Sequence, residues 1–217
     1  MGITVVKFVV SAGALLLAGA TQVRAQKPAA QPPAPQAQAQ SQKPAVTPGP
    51  VQIVALDECD PATFNRPPNP DPKIGGVGAD FCKNVALGAQ TDFPTLFDEA
   101  MKGHPDPNWD FEPDSVNVHK GAQIIVTNQG GEPHTFTEVK HFGGGFIPPL
   151  NGGEPAATEC AAGFKDLAVA RTRILQGSSL HISNLPFGQH NFQCCIHPWM
   201  RVTVEVKDED HDRDHER

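Results

Sequence analysis

The chain has 217 residues, with 17 Lys and Arg against 24 Asp and Glu for a formal charge of −7. This acidic balance argues against a nucleic acid or an anionic membrane as partner, because phosphate contacts need clustered cations. The 20 Gly and 22 Pro, about a fifth of the chain against a usual ~12%, disfavour long helical bundles and favour loops and short strands.

Residues 1–25 read as a secretory signal peptide: Lys7, an apolar run over residues 8–20, and the small-residue pattern Val23-Arg24-Ala25 before Gln26. The run falls short of the roughly 20 residues needed to span a bilayer. Export permits disulfides and implies a periplasmic or secreted protein with no membrane span after cleavage. Residues 26–50, rich in Pro, Ala and Gln, have almost nothing to bury and read as a disordered linker. Residues 51–107 read as an N-terminal extension packed on the domain. Within it, residues 51–56 suit a strand, and Phe93, Phe97, Ala100 and Met101 are spaced as on a short amphipathic helix over residues 93–102.

From Trp109 onward apolar residues alternate, the period of a strand with one buried face. Val116 and Val118 alternate with polar neighbours, Ile124 to Val126 form an apolar run, and residues 134–139 resume strand-favouring composition. Leu180 and Ile182 share a face, residues 189–194 run extended, and Val202, Val204 and Val206 oppose Arg201, Thr203 and Glu205. Short strands separated by Gly and Pro predict an all-β antiparallel sandwich or barrel over residues 108–207. Residues 140–170 are too rich in Gly and Pro for regular structure and read as a long inserted loop. Residues 208–217 read as an acidic, disordered tail whose His211 and His215 could hold metal weakly.

The chemistry concentrates in residues 192–200, FQCCIHPWM, where Cys194, His197 and Met200 follow one another at intervals of three. Thiolate, imidazole and thioether suit a soft or borderline metal. A second imidazole with a weak axial Met describes a copper electron-transfer centre, and His134, directly after a turn, supplies it. Strand parity sends Cys194 to the core side with Phe192 and Cys195 the other way. Reserving Cys194 for the metal leaves Cys59, Cys82, Cys160 and Cys195, which allow three disulfide connectivities. The local pairing, Cys59 with Cys82 and Cys160 with Cys195, is expected. His104, His119, His141, His181 and His190 lack ligand-spaced partners and read as structural or solvated, and Trp199 as a packing or partner-contact residue beside the site. No nucleophilic triad, phosphate loop or paired-carboxylate motif stands out, so no enzymatic activity is expected.

The segment EPHTF around His134, with CxxHPxM at Cys194, His197 and Met200, resembles the cupredoxins, the small blue copper proteins, and is nearest to their amicyanin and plastocyanin-like members. The WDFEPDSVNVHKGAQIIVTNQ stretch is similar to their opening strands. The resemblance implies a Greek-key β-sandwich of eight strands, one type 1 copper held by His134, Cys194, His197 and Met200, and a monomer that shuttles single electrons between redox partner proteins. It also implies that His197, on an exposed loop, is the electron's exit. The Cys-Cys pair, the long loop and the N-terminal extension depart from the family pattern. Two other readings stay open: a periplasmic copper-holding or delivery protein, and a copper-free cupredoxin-like binding module.

Overall fold

A computed structural model describes residues 49–84 and 90–208. The signal peptide, almost all of the linker and most of the tail expected from the sequence lie outside the described residues. Two four-stranded sheets share one apolar core. The first has the order β2-β1-β4-β8, from β2 (Asp110–Glu112), β1 (Val51–Leu56), β4 (Ile124–Asn128) and β8 (Ser179–Ile182). The second runs β3-β10-β9-β6, from β3 (Ser115–His119), β10 (Arg201–Lys207), β9 (Gly188–Gln193) and β6 (Thr137–Val139). A two-stranded ribbon pairs β5 (His134–Thr135) with β7 (Arg173–Ile174).

Alternation decides what each strand buries. Val202, Val204 and Val206 of β10 are buried between half-exposed neighbours, and Ile53 and Ala55 of β1 do the same in the other sheet. Their side chains join Phe111, Phe136 and Phe192 in one core. Phe136 stands edge-on to Phe111 at 5.1 Å and stacks on Phe192 at 4.5 Å.

Both sheets are mixed, where the alternation suggested antiparallel pairing throughout. β1 runs parallel to β4, and β3 parallel to β10. Parallel neighbours need a crossover of a dozen or more residues, and the long stretches between β1 and β4 and between β3 and β10 provide one. The strand β1, read from the sequence as part of an extension, is an inner strand of the first sheet.

Two short helices follow β1. α1 (Pro61–Phe64) is capped by Asp60, whose carboxylate accepts from the Ala62 N–H. α2 (Phe93–Met101) is capped by Asp92, accepting from the Thr95 N–H at 2.9 Å, and buries Leu96 and Ala100. The loop after β6 is more ordered than its Gly and Pro content suggests. It holds single 3₁₀ turns at Pro148–Asn151 and Gly163–Lys165 and a helix, α3 (Leu167–Arg171). The α3 segment LAVAR contains neither Gly nor Pro, and the Asp166 side chain caps it.

Two disulfides form, Cys59–Cys82 and Cys160–Cys195. Cys194 is free and joins the main core with Phe192. Cys195 enters a second, smaller core with Val139, Ala157, Cys160 and Val169 beneath the long loop. The opposite faces predicted for the two adjacent cysteines are therefore two different cores.

Truncating Phe136 would remove a ring with aromatic contacts on two sides and leave a cavity where neither sheet can collapse. Phe136→Ala should lower the unfolding free energy by about 3–5 kcal/mol, read from the midpoint of urea denaturation; a loss below about 1 kcal/mol would contradict this packing.

Candidate metal centre

The strands β9 and β10 pair antiparallel from Gly188 and Val206 up to Gln193 and Arg201, so the intervening residues 194–200 form a tight loop at the end of a rigid ribbon. The Cys194 N–H donates to the Met200 carbonyl and the Met200 N–H to the His197 carbonyl, each at 3.0 Å. These bonds hold Cys194, His197 and Met200 on one small loop. β6 lies on the other side of β9, and the chain just before it carries His134 on β5. Thus one ligand candidate comes from a neighbouring strand and three from the loop.

Three of the four sequence-predicted residues bring their donor atoms together. One ligand atom each from His134, Cys194 and His197 lies within 4.8 Å of the others, all three residues being buried. The Nδ1 atoms of His134 and His197 each stand 3.9 Å from the Cys194 Sγ. That is long for a hydrogen bond and close to the roughly 3.6–3.8 Å that bonds of ~2.0 Å (nitrogen) and ~2.3 Å (sulfur) to a shared ion impose. Met200 is fully buried in the same core as Cys194. Thiolate, two imidazoles and a neighbouring thioether make a donor set that fits a soft or borderline transition metal. The Thr135 and His197 N–H groups point at the sulfur, at 3.4 and 3.5 Å, and favour its anionic form.

The other ring nitrogens show what orients the imidazoles. The His134 Nε2–H donates to the Asp57 Oδ2 at 2.9 Å, and the His197 Nε2–H to the Glu132 Oε2 at 3.2 Å. Carboxylates only accept, so each fixes the ring orientation that leaves Nδ1 facing the sulfur. Asp57 continues the buried face of β1, two residues beyond Ala55. Its carboxylate also accepts from the Gly131 and Glu132 N–H groups, each at 2.9 Å. The chain can come this close only because Gly130 and Gly131 lack side chains. A Cβ at Gly130 would overlap the Asp57 carboxylate, and one at Gly131 would collide with the Cys59 sulfur and Asn84.

Sequence reasoning missed Asp57 and Glu132. Both left a signal: Asp57 has the parity of the core face in VQIVALD, and Glu132 sits two residues before His134, behind a Gly-Gly turn. The exposed exit implied by the resemblance is corrected by the structure. His197 is only 2% exposed, because Glu132 bonds its Nε2 and two tryptophan rings flank it, Trp109 at 6.5 Å and Trp199 at 5.5 Å.

The electrostatics follow from these contacts. Burial alone would lower the pKa of His134, but Asp57 and Cys194 raise it to about 9. For His197 burial is likewise outweighed, by Glu132 and Cys194, and its pKa rises to about 10. Burial works to raise the Cys194 thiol, yet the two imidazoles hold it well below its ordinary value. Burial similarly works against the Asp57 carboxylate, which His134 and two backbone N–H groups nevertheless hold low. Glu132 is raised by burial, only partly opposed by His197.

No family model and no curated protein sequence matches the chain. Among solved structures it is similar to a Cu(I) form of an amicyanin variant, at 15% identity over 45% of this chain and 73% of that one, with a TM-score of 0.30. It is similar also to a reduced amicyanin variant, at 16% identity over 45% and 73% with a TM-score of 0.30. A purple cupredoxin from Nitrosopumilus maritimus is similar over 72% of this chain and 99% of that one, at 11% identity and a TM-score of 0.33.

The raised imidazoles give the metal-free protein a defined pH response. Above pH 6.5 the folded chain holds two imidazole protons that the unfolded chain releases, whereas the lowered Cys194 thiol offsets only one of them. Stability is therefore lost as pH rises through the folded imidazole values of about 9 and about 10. Thermal melting of the metal-free protein should show Tm falling between pH 6.5 and 10; a rising Tm across that window would refute the assigned hydrogen bonds.

Proposed function

We propose that this chain is an exported cupredoxin-like protein that holds one type 1 copper ion and carries single electrons between redox partner proteins, as a monomer. The observation that carries this reading is the convergence of the His134 Nδ1, Cys194 Sγ and His197 Nδ1 atoms beside buried Met200. The functional reading rests on that geometry. The two disulfides support an oxidising compartment, as does the apolar segment at residues 8–20. Among the described residues no helix is long and apolar enough to cross a membrane.

In this reading His134, Cys194 and His197 would hold the ion, with the thioether of Met200 as a weaker fourth donor. Copper bound there would supply a one-electron couple together with a thiolate bond that absorbs visible light. The protein's own part is to keep the ligands still. Asp57 and Glu132 clamp the two imidazoles, and the Thr135 and His197 N–H groups steady the sulfur. The hydrogen-bonded hairpin prevents the loop from relaxing, so little rearrangement opposes a change in the ion's charge. The two buried carboxylates and the thiolate favour the more positive ion and bias the site toward the oxidised state. With His197 buried, the half-buried Trp199 ring at 5.5 Å becomes the route outward. The depth of Cys194 and His197 also suits retention of an ion better than its delivery to another protein.

One equivalent of Cu(II) added to the purified protein should give an intense visible band that bleaches reversibly on reduction. Cys194→Ser should abolish the band while far-ultraviolet circular dichroism stays unchanged. A colourless wild-type protein, or a coloured Cys194→Ser variant, would overturn the proposal. At pH 7 both imidazoles, raised to about 9 and about 10, hold a second proton that a bound ion would displace. Metal uptake should accordingly release about two protons per ion, measured by calorimetry in buffers of different ionisation enthalpy.

A further inference from the structure

Two cavities meet at Val77 and Phe81, which line both. The inner one, of about 380 Å³, is walled by phenylalanine: Phe64 of α1, Phe93 and Phe97 of α2, and Phe146 and Phe164 of the long loop. Phe64 stands edge-on to Phe93 at 5.2 Å, and Phe146 to Phe164 at 5.1 Å. Where the cavity reaches His197 and Glu132 it is closed, each being no more than 2% exposed. It opens at Val77 and Phe164, which are 37% and 40% exposed.

The outer cavity, also of about 380 Å³, is polar where the inner one is apolar. Lys83, Arg173 and Gln176 line it, with Asp80 as its one carboxylate. The Gln176 side-chain N–H donates to the Phe81 carbonyl at 2.7 Å and so ties the two cavities together at their junction. The Arg173 guanidinium lies over the Phe164 ring, 5.1 Å from its centroid, which sets a cation on the rim of the apolar cavity. Among the described residues, the lysine and arginine ion pairs are Lys102 with Asp98 and Arg201 with Glu154. Lys83 and Arg173 belong to neither, so both charges are unmatched by a carboxylate of the chain.

We infer that the two cavities together form a binding site for an apolar monocarboxylate, a fatty-acid anion of medium chain length, with its chain among the phenylalanines and its carboxylate on Lys83 and Arg173. The division of the site selects this class. An apolar lining requires a ligand body without polar groups, since each would be buried without a partner. Roughly 150 Å³ accommodates one benzene ring, so the inner cavity takes a larger body, a chain of about ten carbons. The cations at the mouth require one anionic end, and a guanidinium lying over a ring still offers its N–H donors to a carboxylate. A cationic end would meet two like charges there. The site rests on the cavities and their unmatched cations, and needs no metal.

The test is calorimetric titration of the purified protein, without added metal, with decanoate, with octanoate and with decyltrimethylammonium, which carries the same chain as a cation. Decanoate should bind saturably at one per chain. Octanoate, shorter by two methylenes, should bind roughly tenfold more weakly, each buried CH₂ being worth about fourfold in affinity. The cation should bind weaker than decanoate by roughly tenfold or more. The double variant Lys83→Gln/Arg173→Gln, in which both changes fall on exposed side chains, should weaken decanoate binding about tenfold. Val77→Glu, which puts a like charge where the cavities meet, should weaken it at least as much. Failure of decanoate to saturate at millimolar concentration, equal affinities for decanoate and the cation, equal affinities for the two chain lengths, or unchanged affinity in either variant would overturn the inference. Because no titration contains copper, these outcomes are independent of the visible spectrum that tests the redox reading.

Discussion

Two buried hydrogen bonds from imidazole to carboxylate determine how this molecule is organised. His134 would be free to turn either nitrogen toward Cys194 if Asp57 did not accept from Nε2, and the same holds for His197 and Glu132. Asp57 can do so only because β1 ends beside the turn of residues 129–131, where two glycines let the backbone approach. The position of β1 inside the first sheet, the Gly-Gly turn and the orientation of a ring in the centre are thus one continuous constraint. Removing any of them leaves a charge or a donor unpaired in the core, the costliest kind of defect in a folded chain.

The same arrangement accounts for how five titratable groups coexist in so little space. Two imidazoles held above their ordinary pKa face a thiol held below its own and two acidic side chains. The geometry of the cluster is set by hydrogen bonds among its own residues and the backbone around Asp57.

Much of the sandwich was legible because it rests on local alternation. Val202, Val204 and Val206 announce β10, and the same pattern marks β3, β8 and β9. Parity separated Cys194 from Cys195 correctly, since each belongs to a different core. The parallel pairings escaped detection because they join segments dozens of residues apart, and alternation says which face is buried without saying which strand lies alongside. His134, Cys194 and His197, whose donor atoms the fold brings together, could be picked out from residue type and spacing. Asp57 and Glu132 could not be assigned, since their role depends on a contact 77 residues away in sequence for Asp57 and His134, and an isolated acidic residue ordinarily means a solvated surface. The depth of His197 was equally hidden, because what covers it includes Glu132 and Trp109, far upstream in the chain.

The adjacency of Cys194 and Cys195 bears on how the chain matures. As the disulfides form, Cys160 has two candidate partners one residue apart, and only one choice leaves Cys194 free. Because strand geometry points neighbouring side chains to opposite faces, pairing β9 with β10 and β6 before the sulfurs meet presents Cys195 alone to the segment carrying Cys160. The sheet therefore acts as the proofreader of the disulfide. A chain oxidised before its strands pair would lock the wrong bridge and carry that error permanently into its centre.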